Sequence, residues 1–138
     1  MARILAIDFG EKRTGIAVSD PLQMIANGLT TVDTLHLEQF LSDYVAKESV
    51  EQFVIGFPKT LRNEPALVTA KITPFVKRLE KLFPTITVTL VDERFTSKMA
   101  FQTMIDGGLK KKARQNKALI DQVSATIILQ EYLEKLRD

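Results

Sequence analysis

From Arg3 to Asp8 the chain sets four apolar residues in succession, Ile4, Leu5, Ala6 and Ile7, and closes them with an acid. Such a run is what a strand in a sheet interior presents. Phe9 to Thr14 holds Gly10 and three charges and reads as a turn. Gly15 to Ser19 resumes as a second strand, giving a hairpin. Ile25 to Val32 predicts a third strand, interrupted at Asn27-Gly28 by a turn or bulge. Helical spacing then takes over: Leu37, Phe40, Leu41, Tyr44 and Val45 share one face of a helix running from about Leu35 to Glu48, with Thr34 as its cap. Glu51 to Phe57 predicts a buried strand, ended by Pro58. A second helix is expected from Pro65, a residue suited to a first helical turn. Pro74 inside it should kink the helix or mark a late start. Thr85 to Val91, rich in β-branched residues, predicts the fifth strand. Thr96 or Ser97 is expected to cap a third helix reaching Asp106 and ended by Gly107-Gly108. A basic loop follows, and then a long helix from about Asn116 to Leu136.

The predicted order is β-β-β-α-β-α-β-α-α. Hairpin-linked strands come first, and strands separated by helices follow. This pattern predicts an α/β fold around a five-stranded mixed sheet, antiparallel in its first three strands, with later strands parallel to the first. With 138 residues and neither repeat nor long linker, residues 1–138 are expected to form one domain. In such sheets ligands gather at the carboxyl ends of the central parallel strands, where the topology switches direction.

Composition narrows the chemistry. A hydrophobic fraction of 45% supports a real core, and no apolar run approaches the length of a membrane span. The opening residues carry an acid after a few apolar positions and no small-residue cleavage site, so they read as a strand and the cytosol is the expected location. Cysteine is absent, which excludes disulfides, thiolate zinc sites and cysteine nucleophiles. His36 alone cannot build a histidine-rich zinc site, and no serine stands in a nucleophile-elbow context. The net charge of +2 implies little, but its distribution does more: Lys110, Lys111, Lys112, Arg114 and Lys117 follow one another with no acid among them.

Three acids stand in suggestive places. Asp8 ends an apolar strand beside a glycine turn, where a partly desolvated carboxylate needs cations, donors or water; a turn aspartate bonded to nearby amides is an equal alternative. Glu93 follows the fifth strand. It and Asp92 point oppositely on a strand, so at most one faces Asp8; a surface pair with Arg94 is the competing reading. Asp121 has Ala118, Ser124, Ala125 and Ile128 as helical neighbours, a small and partly apolar stripe that lets the helix approach the sheet with the acid on its inner side. The alternative there is a boundary residue bonded to Lys117. Together these acids offer the hard oxygen ligands that Mg²⁺ or Mn²⁺ requires, and phosphodiester cleavage can use two such ions about 3.5–4 Å apart.

AIDFGEKRTGIAVSD near the start, VIGFP in the middle, DERFTS after the fifth strand and KALIDQVSATIILQEYL at the end resemble the YqgF (RuvX-like) family, with the motifs in order over nearly the whole chain. That family is similar to Holliday junction resolvases within the RNase H-like superfamily. The resemblance implies an RNase H-like fold with helices on both faces of the sheet. It also implies metal-binding and catalytic roles for Asp8, Glu93 and Asp121, and nuclease activity on the 5′ end of the small-subunit ribosomal RNA precursor or on branched DNA. The chain departs from resolvases of the RuvC type in having Ser124 where they carry a further acid, and Gly56-Phe57-Pro58 where their second acid is expected. Thr60 to Asn63 replaces the family's usual loop after GFP.

Lys12, Arg13 and Arg94, with Lys110, Lys111, Lys112, Arg114 and Lys117, are the expected contacts to nucleic acid, positioning a phosphate backbone without reading sequence. The expected partner is structured RNA or branched DNA, with the ribosomal small-subunit precursor as a candidate, no membrane, and a monomer or homodimer. Two rivals remain. An ATPase of the actin, sugar-kinase and Hsp70 type shares the turn after the first strand but needs a duplicated domain. A non-catalytic RNA- or ribosome-binding module would keep the fold and basic loop without cleavage.

Overall fold

The computed structural model describes residues 2–57, 69–92 and 117–137. Five strands form one sheet: β1 (Arg3–Asp8), β2 (Arg13–Ser19), β3 (Ala26–Asp33), β4 (Val50–Phe57) and β5 (Thr87–Asp92). Three α-helices accompany them among the described residues: α1 (Leu37–Lys47), α2 (Thr69–Leu82) and α3 (Lys117–Arg137). The expected helix from Thr96 to Asp106, the start of α2 at Pro65, the Thr60–Asn63 loop and the basic loop before Lys117 lie outside the described residues.

Across the sheet the strand order is β3-β2-β1-β4-β5. β1 pairs antiparallel with β2, and β2 with β3. β1 pairs parallel with β4, and β4 with β5. The first three strands are therefore antiparallel and the crossover strands run with β1, as the order of elements predicts. β1 sits at the centre, which is why its residues are apolar on both faces.

Alternation along β1 divides the core into two layers. Leu5 and Ile7 face one side, packing with Ile16, Phe53 and Ile55 and, from the helices, with Leu41, Phe75 and Leu79. Ile4 and Ala6 face the other, with Ala17, Val54 and, from α3, Ala125, Ile128, Leu129 and Leu133. Helices α1 and α2 thus cover one face and α3 covers the other. The α3 layer is built from smaller side chains, so the helix lies close to the strands.

Several boundaries differ from expectation. β2 begins at Arg13, two residues early, because the ladder to Asp33 extends the hairpin toward its turn. Asn27-Gly28 does mark a bulge: Ile16 pairs with Thr30 and Ala17 with Gly28, leaving Leu29 between them. Thr34 is not a helix cap. A 3₁₀ turn spans Thr34–His36, and α1 starts after it with no side-chain cap. The Thr34 hydroxyl is used instead to tie down the first turn, donating to the Gly10 carbonyl at 2.7 Å and meeting the Thr14 hydroxyl at 2.9 Å. Helix α2 carries Pro74 within its span. Among the described residues no helix is long and apolar enough to cross a membrane.

Candidate functional site

The carboxyl ends of β1, β4 and β5 lie along one edge of the sheet, and the turn into β2 lies there too. Asp8 is the last residue of β1. By alternation from Ile4 and Ala6 it stands on the α3 face, half-buried. Its register partners are Gly15 on β2 and Gly56 on β4. Neither neighbour has a side chain, so the sheet leaves room around this carboxylate on both sides.

Asp121 comes to the same edge from above, on the first turns of α3. A Cβ placed on Gly15 would stand 2.0 Å from the Asp121 carbonyl oxygen, a separation that real side chains do not tolerate. Gly15 is therefore the contact that lets α3 settle here, and it sets Asp121 one strand away from Asp8. Farther along, a Cβ on Gly28 of β3 would meet the side chains of Gln122 and Thr126 rather than helix backbone. At the other end of the helix, the Tyr132 hydroxyl accepts a 2.6 Å hydrogen bond from the Gln52 amide of β4. Helix α3 thus runs from the carboxyl edge toward the amino edge, opposite to β1.

Asp121 has a partner that the sequence did not suggest. The Arg13 Nε donates to Asp121 Oδ2 at 3.1 Å, across 108 positions of chain. The pair is partly exposed, at 38% and 24% of the two side chains, so it contributes at most about 1 kcal/mol. Its effect is on orientation: it anchors the carboxylate at the sheet edge. The neighbouring Lys12 is exposed in the turn. Glu93, Arg94, Lys110, Lys111, Lys112 and Arg114 lie outside the described residues. Lys117 opens α3. Val91, near the end of β5, packs with the α3 layer.

Ser124 lies one helical turn beyond Asp121. It is fully buried, and among the described residues its Oγ is the buried side-chain oxygen without a hydrogen-bond partner. An unsatisfied buried hydroxyl costs about 1–3 kcal/mol. Thr126, two residues on, shows the usual remedy by bonding back to the Gln122 carbonyl at 2.9 Å.

No group of three or more potential metal ligands occurs among the described residues, and Glu93 lies outside them. The donor set present nonetheless fits a hard divalent cation: two carboxylates on one face, glycines flanking one of them, and an unpartnered hydroxyl nearby. A cavity of about 430 Å³ lies on the opposite face, lined by Phe9, Leu35, Phe75 and Arg78 among others. Its lining mixes apolar with charged side chains, Glu11 and Glu38 among them, and does not include Asp8 or Asp121.

Known proteins resemble this chain over nearly its whole length. The family model described as "RuvX: Holliday junction resolvase" matches residues 2–135. A relative from Bacteroides thetaiotaomicron is 61% identical over 137 residues, covering 99% of each chain. Another, from Phocaeicola vulgatus, is 60% identical over 134 residues, covering 97% of this chain and 96% of its own. Both bear the name "Putative pre-16S rRNA nuclease". Among solved structures, Thermus thermophilus RuvC in complex with a Holliday junction substrate matches with a TM-score of 0.59 at 17% identity, over 99% of this chain and 96% of that one. A second T. thermophilus RuvC structure matches with a TM-score of 0.53 at 14% identity, over 98% and 96%. This likeness identifies the fold as RNase H-like.

Proposed function

The chain belongs to the RuvX family, and from that premise we propose that it is a metal-dependent nuclease that cuts phosphodiester bonds in structured RNA. Its substrate is the 5′ end of the 16S ribosomal RNA precursor, and its work is done in the cytosol during ribosome assembly. The observation that carries this reading is that Asp8 and the helix position of Asp121 share one face of the sheet at its carboxyl edge, Asp8 pairing with Gly15 and the Asp121 backbone resting on it. Relatives with about three-fifths of their residues in common, named for that RNA, support the substrate.

In this reading Asp8, Asp121 and Glu93 hold Mg²⁺ or Mn²⁺, two ions in all. When bound, the cations neutralise phosphate charge and lower the pKa of the attacking water. The remaining tasks belong to side chains. Asp8 gives its carboxylate from a rigid central strand, which limits reorganisation at the site. Arg13 keeps Asp121 in place and, next to exposed Lys12, adds positive charge on the side where a phosphate backbone must approach. Arg94, Lys110, Lys111, Lys112, Arg114 and Lys117 are the further cations to which this reading assigns phosphate contacts. Such contacts position a substrate without specifying its sequence, so binding should weaken steeply with salt.

The test is cleavage of a 16S precursor fragment carrying its 5′ extension, in Mg²⁺ and in Mn²⁺, by the wild type and by Asp8→Asn. The wild type should cleave, and the substitution should reduce the rate at least about a hundredfold while RNA binding persists. If neither protein cleaves with either metal and both bind RNA equally, the chain is a binding module and the proposal fails. The family's description favours a second substrate, four-way branched DNA. Faster cleavage of that substrate than of the precursor would replace RNA with DNA and leave the metal centre standing.

A further inference from the structure

The orphaned hydroxyl of Ser124 suggests a second layer to the site. Ser124 is 0% exposed and occupies the helix surface between Asp121, three residues before it, and Ile128, four residues after. Asp121 marks the level of the Asp8–Gly15 pair, at the sheet edge. Ile128 marks the next level inward, packed with Ile4, Ala6, Ala17 and Val54. Ser124 therefore enters the interface between these levels, beside the end of β1. There the strand on the far side of Asp8 contributes Gly56 and no side chain. A serine in a helix ordinarily satisfies itself on the carbonyl one turn back, as Thr126 does. Ser124 does not, and its Oγ has no other protein partner.

A polar group kept unsatisfied in a packed layer, where alanine would fit the same space, points to a partner from outside the protein. We propose that Ser124 is a positioning residue of the carboxylate centre: its hydroxyl hydrogen-bonds to the hydration shell of a divalent cation held at Asp8 and Asp121. This rests on the metal-dependent reading given above and adds a specific role to a residue outside the acidic set. Groups of this kind orient the ligands that touch the ion, and their loss typically weakens metal binding about 10–100-fold.

Calorimetric titration of Mn²⁺ into the full-length chain, without substrate, tests the proposal for the wild type, Ser124→Ala and Asp8→Asn, alongside metal-free melting curves. Ser124→Ala should weaken Mn²⁺ binding at least about tenfold. Without metal it should melt at or above the wild-type temperature, because a buried unsatisfied hydroxyl has been removed. Asp8→Asn should bind far more weakly than either. Wild-type affinity in Ser124→Ala, with binding lost in Asp8→Asn, overturns the role of Ser124 and leaves the carboxylates intact. Wild-type affinity in Asp8→Asn overturns the metal centre itself. A metal-free melting temperature well below that of the wild type in Ser124→Ala would show that the hydroxyl is bonded within the protein, and the proposal would fall.

Discussion

Single residues in this fold often serve a partner far along the chain. Arg13 read as a phosphate contact, and Asp121 as a metal-binding acid or a boundary residue bonded to Lys117; the structure pairs Arg13 with Asp121. Asp20 shows the local counterpart. Its carboxylate accepts backbone N–H bonds from Met24 and Ile25 at 2.8 Å and from Leu22 at 3.1 Å, closing the β2–β3 loop, in which Gln23 takes a left-handed φ of 59°. These bonds, that from Ile25 foremost, hold the Asp20 carboxyl below its ordinary value of 3.8. A carboxyl depressed by folding stabilises the loop above its unfolded pKa, and that contribution is lost as pH falls through the folded value. The amide resonances of Met24 and Ile25 should therefore titrate with a midpoint under 3.8, and Asp20→Asn should remove the titration. A midpoint at or above 3.8 would show that the loop bonds do not favour the ionised form.

Between elements, the decisive contact is the approach of α3 to β2. Gly15 inside a strand is normally a weakness, and alanine there would ordinarily gain about 0.4–1 kcal/mol by restricting the unfolded chain. Here the added carbon would meet backbone at 2.0 Å, which a rotamer change cannot relieve. Overpacking of this kind costs about 1–3 kcal/mol, so the steric term wins. Gly15→Ala should lower the urea midpoint and, because α3 must shift, weaken Mn²⁺ binding as well. Greater stability in that variant would mean that the helix does not rest on Gly15.

For the molecule as a whole, the central strands connect the two core layers. β1 sends Leu5 and Ile7 to one layer and Ile4 and Ala6 to the other, and β4 divides Phe53 and Ile55 from Val54 in the same way. Damage to either layer should reach the other through shared backbone hydrogen bonds. Phe53→Ala should cost about 3–5 kcal/mol and Leu129→Ala about 2–5 kcal/mol. Each should give a single thermal transition followed identically by far-ultraviolet dichroism and by intrinsic tyrosine fluorescence. Two separated transitions in either variant would show that the layers unfold independently.

The sequence by itself determined the five strands, the α-helices among the described residues and their order, because the periods of two and 3.6 are local properties of the chain and survive whatever surrounds them. The central strand was legible in Ile4 to Ile7, the bulge in Asn27-Gly28, and the place of Asp8 at the end of its strand. Thr34 was misread because a hydroxyl before a helix has two local uses, and only the position of Gly10 across the turn decides between capping and clasping. The tertiary structure alone decided which residues meet: Asp121 with Arg13, its carbonyl with Gly15, and Ser124 with no protein partner at all. These depend on how far a helix sinks toward a sheet. That depth depends on the absence of a side chain at Gly15, where helix backbone rests on the strand, and a one-dimensional pattern does not encode it.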